Sequence, residues 1–162
     1  MASTISVKLS HLLTVVETLD PALTEGLSGN SRVTHSNFNF QKTLDAASAP
    51  PAAMISEQTI DGSASGTIDL TALPTVQEAA ADGTGLKLIA LRINNRGTNA
   101  FTLTEGAANG YALPGAADIV VPPGGSVALY FVETLADVAA GDKDLDYTFD
   151  AADEADLTLI LG

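Results

Sequence analysis

Apolar residues recur at every second position along most of this chain, and turn residues interrupt them at short intervals. In "TISVKLSHLLTVVETL" the odd positions are Ile5, Val7, Leu9, His11, Leu13, Val15, Glu17 and Leu19. Six of these eight are aliphatic, while the even positions are mostly Ser, Lys and Thr. A period of two puts alternate side chains on opposite faces of a strand. A helix over Leu9–Leu19 is the competing reading, and the β-branched run Thr14, Val15, Val16, Thr18 disfavours it. The segment reads as one long half-buried strand, or as two with a bend near His11.

The same period returns downstream. "RVTHSNFNFQ" puts Phe38 and Phe40 on one face, and Met54–Ile60 forms a short strand. Thr67–Leu73 is stopped by Pro74. "LKLIALRIN" places Ile89, Leu91 and Ile93 on one face, and "AFTLTE" alternates Phe101 and Leu103. "DIVV", "SVALYF", "DLDYTFDA" and "DLTLILG" complete the series, the last pinning the C-terminal segment into a sheet. Turn chemistry separates them: "DPALTEGLSGNS", the Pro/Ala loop 45–53, "NRGTN", Asn109-Gly110 and Pro122-Pro123-Gly124-Gly125. Only 75–85 has room for a helical turn. The pattern predicts an all-β chain, an antiparallel β-sandwich or jelly-roll-like barrel of about nine or ten strands. It reads as a single domain over residues 1–162, with 1–19 an N-terminal arm or long strand. Phe101, Leu103, Val127, Leu129, Phe131, Leu157, Leu159 and Leu161 are the expected core.

"IVVPPGGSVALYF" (119–131) shows how a turn of this chain is built. Neither Pro122 nor Pro123 has an N–H to give to a ladder, and Gly124 or Gly125 supplies a positive φ. No carboxylate, amine, guanidinium or imidazole lies between Asp118 and Glu133, so the segment reads as a rigid corner, not as a reactive loop.

Charge and composition narrow the chemistry. Twenty acids against seven bases leave a net charge of −13. So few and scattered cations cannot neutralise a run of phosphates, which disfavours nucleic acid, and the same holds for an anionic membrane surface. The absence of cysteine excludes disulfides, thiolate metal sites and cysteine nucleophiles. The start "MASTISVKLSHLL" does not read as a signal peptide, and the apolar runs fall far short of the ~20 residues of a membrane helix.

The residues that carry possible chemistry are few. Asp142, Asp144, Asp146, Asp150 and Asp153 stand at relative positions 1, 3, 5, 9 and 12, the ligand spacing of a twelve-residue calcium loop. Tyr147 occupies the usual glycine position, and Asp153 replaces the bidentate glutamate. The same D-x-D-x-D arises from a strand with a wet acidic face and a dry face of Leu145, Tyr147 and Phe149. Calcium is the one cofactor candidate. His11 and His35 lack partners for a zinc site or a catalytic pair. "GSASG" has Ala64 where a nucleophile elbow needs serine, and "DGTGLK" lacks phosphate-loop spacing. Arg92 and Arg96 flank "INNRG" and can pair with acids of this chain or of a neighbour. No catalytic constellation can be assembled, and the chain reads as non-enzymatic.

"TIDLTALP" (67–74), "LKLIALRINNRGTNAFTLTEGAANGY" (86–111) and "IVVPPGGSVALYF", in an Ala/Thr/Ser-rich chain without cysteine, resemble small structural proteins of tailed-bacteriophage virions, especially head decoration (cement) proteins. That resemblance implies a virion component, made in the host cytoplasm, that self-associates, a trimer being favoured, and sits on a capsid or other shell protein. It also implies an N-terminal segment that reaches a neighbour, so that apolar residues of 5–19 are buried between chains. A phage tail or fibre component is one alternative. A secreted extracellular sandwich module binding glycan or calcium is another.

Overall fold

The computed structural model describes residues 5–13, 16–18, 32–34, 38–49, 51–61, 64–76, 79–114, 118–131, 135–150 and 153–162. Its strands are β1 (Ser6–Leu13), β2 (Val16–Thr18), β3 (Arg32–Thr34), β4 (Phe38–Asp45), β5 (Met54–Asp61) and β6 (Ser65–Asp69). There follow β7 (Leu88–Asn95), β8 (Phe101–Glu105), β9 (Ile119–Val121), β10 (Ser126–Tyr130), β11 (Asp144–Thr148) and β12 (Glu154–Leu161). All pair antiparallel, in four separate sheets. Two have four strands, in the orders β10-β7-β12-β5 and β6-β11-β8-β9. The other two are the pairs β1-β4 and β2-β3. The sheets stay open instead of closing into a barrel, so of the two expected all-β architectures the sandwich is the one formed. No helix among the described residues is long and apolar enough to cross a membrane.

One core joins the four-stranded sheets. Ile60, Leu91, Ile93, Ala155, Leu157, Leu159 and Leu161 come from one, and Ile68, Phe101, Leu103, Val121 and Leu145 from the other. Phe131 belongs to it too, while the expected core residues Val127 and Leu129 are half-buried against its border. Phe101 is fully buried at the centre of an aromatic trio. Its ring centroid lies 6.0 Å from that of Tyr147, with the rings stacked, and 5.5 Å from that of Phe149. The Tyr147 ring also covers Gly66, its cross-strand partner, where any side chain would collide with the phenol. Tyr111, also fully buried, donates its hydroxyl to the Ala136 carbonyl (2.7 Å) and accepts the Leu88 N–H (3.1 Å).

Simple alternation fails at one place. Leu161 pairs with Leu88 and Ile160 with Ala90, so Ile89 is an extra residue in β7. A bulge of this kind shifts the alternation by one residue. Leu88, Leu91 and Ile93 therefore enter the main core, while Ile89 and Ala90 turn to the opposite face. The expectation that Ile89 shares a face with Leu91 and Ile93 is corrected by that extra residue.

The opposite face acquires a third layer. Leu44, fully buried, packs with Ala52, Ile89, Ala90 and Ile160, and Ile5, Val7, Ile55 and Tyr130 border them. The base of the β1–β4 ribbon thus lies on the outside of the β10-β7-β12-β5 sheet. In the ribbon Ser6 pairs with Asp45 and Leu13 with Phe38, and β2 and β3 continue it with Val16 opposite Thr34. The described part of the N-terminal segment holds β1 and β2, residues 14–15 lying outside the described residues, with His11 inside β1 and paired with Phe40. Ile5 and Val7 are half-buried within their own chain.

Smaller differences have local causes. β6 ends at Asp69, not at Leu73, because the Asp69 carboxylate accepts the N–H (2.8 Å) and hydroxyl (2.6 Å) of Thr71 and turns the backbone. Part of the segment with room for a helical turn, residues 77–78, lies outside the described residues. Leu73 and Ala81 close that segment by an antiparallel bridge.

Candidate functional site

Three loops meet at one end of the sandwich. The first is the Pro-Gly corner between β9 and β10. The Gly125 N–H donates to the Pro122 carbonyl at 2.9 Å, and Gly124 has φ of 63°. That is a type II turn, with proline in its second position and the positive-φ glycine in its third. The Asn95 N–H donates to the Gly125 carbonyl (2.9 Å) and ties the corner to β7.

The second is the β7–β8 hairpin loop, organised by Asn95, which is 1% exposed. Its Nδ2 donates to the carbonyls of Asn99 (2.8 Å), Val121 (3.0 Å) and Pro122 (3.1 Å). Its Oδ1 accepts the Gly97 N–H at 2.9 Å. One amide therefore joins both loops. The sequence reading did not single out Asn95. The available signal was a polar residue two positions after Ile93, on the buried face of an apolar run.

The third is the loop before β12, anchored by Asp153, 6% exposed. Its carboxylate accepts the N–H of Thr98 and the N–H of Asn99, both at 2.8 Å. It also accepts the Asn99 amide at 3.1 Å and the Thr98 hydroxyl at 3.2 Å. A side chain at Gly97 would collide with Asp153, so this approach requires glycine. The bond from the Thr98 N–H leads in holding the Asp153 carboxyl below its ordinary range; desolvation opposes it, and the bonds from Asn99 and the Thr98 hydroxyl add to it.

The other calcium-spaced acids lie elsewhere. Asp142 is exposed in a loop and bridged to Ala139 through the backbone. Asp144 and Asp146 share the outer face of β11, where the Lys143 ammonium is 3.9 Å from Asp144 and forms its close ion pair with Asp69. Asp146 accepts the Thr67 hydroxyl (2.6 Å) and the Ala107 N–H (2.9 Å), which hold its carboxyl low. Asp150 is exposed, and its carbonyl accepts the Asp153 N–H. Among the described residues, no three His, Asp or Glu side chains are grouped as a metal ion would need. Asp146 and Asp153 are already occupied by protein donors. Calcium is therefore expected to leave the melting temperature unchanged and to release no heat in calorimetric titration. A stoichiometric heat with a shift of several degrees would show the acids rearranging around the ion.

Asp153 also makes a pH prediction. A carboxyl whose native pKa lies below its unfolded value of 3.8 stabilises the fold above that value. The stabilisation is lost as pH falls through the lowered native value. Asp153→Ala is expected to melt well below the unaltered protein at neutral pH, with the difference shrinking as the pH falls below 3.8. Thermal melts across pH read this directly, and a pH-independent difference would rule the linkage out.

A shallow groove of about 310 Å³ crosses the outer face of the β10-β7-β12-β5 sheet beyond the ribbon base, lined by Glu57, Thr59, Arg92, Asp156 and Thr158. Arg96 pairs within its own chain, with Asp156 at 2.9 Å and Glu154 at 3.1 Å. Asp156 also accepts Thr59 (3.0 Å) and Asn94 (3.2 Å). Burial pushes its carboxyl up, but the bonds from Asn94, Thr59 and Arg96 outweigh burial and leave it low. Ala64 is exposed beside β6, and His35 lies outside the described residues.

Comparison with protein-family models, with curated proteins and with solved structures finds no match to this chain.

Proposed function

We propose that this chain is a non-enzymatic structural subunit of a virion, of the capsid decoration type, acting by homo-oligomeric association on a shell. The observation that carries the reading is the ribbon of β1–β4 and β2–β3. Among the described residues its strands pair only with one another, and an isolated two-stranded ribbon is marginal by itself in water. Its base rests on the sandwich through Ile5, Val7 and Leu44.

Charge favours the same segment. Residues 1–45 hold three of the seven bases and four of the twenty acids, a net −1, which leaves −12 on the remainder. Copies that repel through their bodies are best joined through their least charged part. A contact of ~800 Å² per partner makes a stable interface, and repeated contacts on a shell add by multivalency.

Sedimentation velocity of the full chain tests the reading. A discrete homo-oligomer at micromolar concentration is expected, and a monomer at high concentration would overturn it. A capsid or portal gene beside the coding sequence is the expected genomic context.

A further inference from the structure

The chain has a single Asn-Gly pair, Asn109-Gly110, and its backbone is fastened to the start of β11. The Asn109 carbonyl accepts the N–H groups of Lys143 (2.8 Å) and Asp144 (2.9 Å). The Asp144 carbonyl in turn accepts the N–H groups of Gly106 (2.9 Å) and Tyr111 (2.8 Å), which closes loop 106–111 at both ends. Each residue of the pair has a local cause. Asn109 has φ of 52°, in the left-handed region that asparagine enters more readily than most residues. At Gly110 any side chain would collide with the Gly106 carbonyl and with Glu105. The fold therefore selects a chemically fragile dipeptide. An exposed side-chain amide is followed by a peptide nitrogen that no side chain shields.

We propose that Asn109 is a self-modification site, blocked while loop 106–111 sits on β11 and converted irreversibly when the loop lifts away. In the reaction the Gly110 nitrogen attacks Asn109 Cγ. The new N–Cγ bond closes a succinimide ring, the Cγ–Nδ2 bond breaks, and ammonia leaves with the proton of the Gly110 N–H. Water then opens the ring, and the Gly110 nitrogen regains a proton. Cleavage at Cγ gives aspartate. Cleavage at the main-chain carbonyl carbon gives isoaspartate, in which the chain runs through Cβ and Cγ. Ring closure needs the Gly110 nitrogen on the same side of the Cα–C bond as Cβ. In the left-handed region ψ is about +47°, which for an L-residue sets that nitrogen nearly anti to Cβ. The two bonds to the Asn109 carbonyl hold it there.

The product does not fit the closed loop. Isoaspartate adds one carbon to the main chain between Gly106 and Tyr111, whose N–H groups share the Asp144 carbonyl. Either product also places a new carboxylate near Glu105, whose side chain lies against Gly110. A loop that has opened and reacted therefore stays detached from β11.

The test incubates the full chain in mildly alkaline buffer, folded and in concentrated guanidinium chloride. Mass spectrometry of the peptide carrying residue 109 follows the exchange of NH2 for OH. Conversion is expected to be at least about tenfold slower in the folded protein, because it waits on local opening. The converted protein, refolded, is expected to melt about 3 °C or more below the unaltered one. Asn109→Asp carries the charge without the added carbon and is expected to show less than about half of that loss. Asn109→Gly keeps the left-handed backbone and has no amide to lose. It is expected to melt within about 2 °C of the unaltered protein both before and after incubation.

Equal conversion rates in the folded and unfolded chain would overturn the block. An incubated Asn109→Gly that loses as much melting temperature as the incubated unaltered chain would place the damage elsewhere and overturn the site. Converted protein that melts with the unaltered protein would overturn the misfit.

Discussion

Asn95→Asp is expected to lower the melting temperature by about 10 °C or more at neutral pH, the loss of roughly 3–5 kcal/mol. The substitution keeps shape and volume and exchanges an NH2 group for a carboxylate oxygen. The carbonyls of Asn99, Val121 and Pro122 then lose their donor and face a negative charge in a site that is 1% exposed. The new carboxyl can relieve the repulsion by taking up a proton, so the deficit is expected to shrink in acid. Asn95→Leu separates the two contributions, because it loses the bonds and adds no charge. It is expected to be intermediate at neutral pH and to show no acid rescue. Equal melting of Asn95→Asp and the unaltered protein would show that the corner and the hairpin loop are held together by other contacts.

Phe101→Ala is expected to cost a similar ~3–5 kcal/mol through a different cause. Phe101 is fully buried, and Tyr147 and Phe149 pack against its ring. Truncation removes its buried surface and leaves a void that two other rings cannot readily fill. Phe101→Leu retains most of the volume and is expected to lose about half as much or less. Denaturant melts at fixed pH read both. The effect is expected to be independent of pH, which sets it apart from Asn95→Asp and Asp153→Ala. Near-equal losses for the alanine and leucine variants would show that ring geometry, not filled volume, holds the aromatic trio.

Much of the fold is legible from local pattern. Alternation in "AFTLTE" and "DLTLILG" marks β8 and β12, and the buried residues of those stretches follow it except Ile160, which is buried on the opposite face beneath the ribbon base. "PPGG" is a type II turn because proline presets its second position and glycine permits its third. Of the D-x-D-x-D, Asp144 and Asp146 lie in β11, outward with Leu145 buried between them, and Asp142 precedes the strand. The same spacing also matches a calcium loop, and spacing alone cannot separate the two. The structure adds the partners these carboxylates hold: Thr67 and Ala107 for Asp146, Thr98 and Asn99 for Asp153.

By itself, then, the sequence determined which segments are strands, which of their faces are apolar and where the chain turns, because those properties depend on neighbours within a few residues. Tertiary structure alone decided which strands are neighbours: β1 with β4, β12 between β7 and β5, and the ribbon base over the outer face of a sheet. It also decided that Ile89 leaves the face of Leu91 and that Asn95 serves three carbonyls. An alternating strand can pair with any other of similar length. The choice among them is made by how well whole faces pack and by which buried polar atoms find partners, and neither is a property of any one segment.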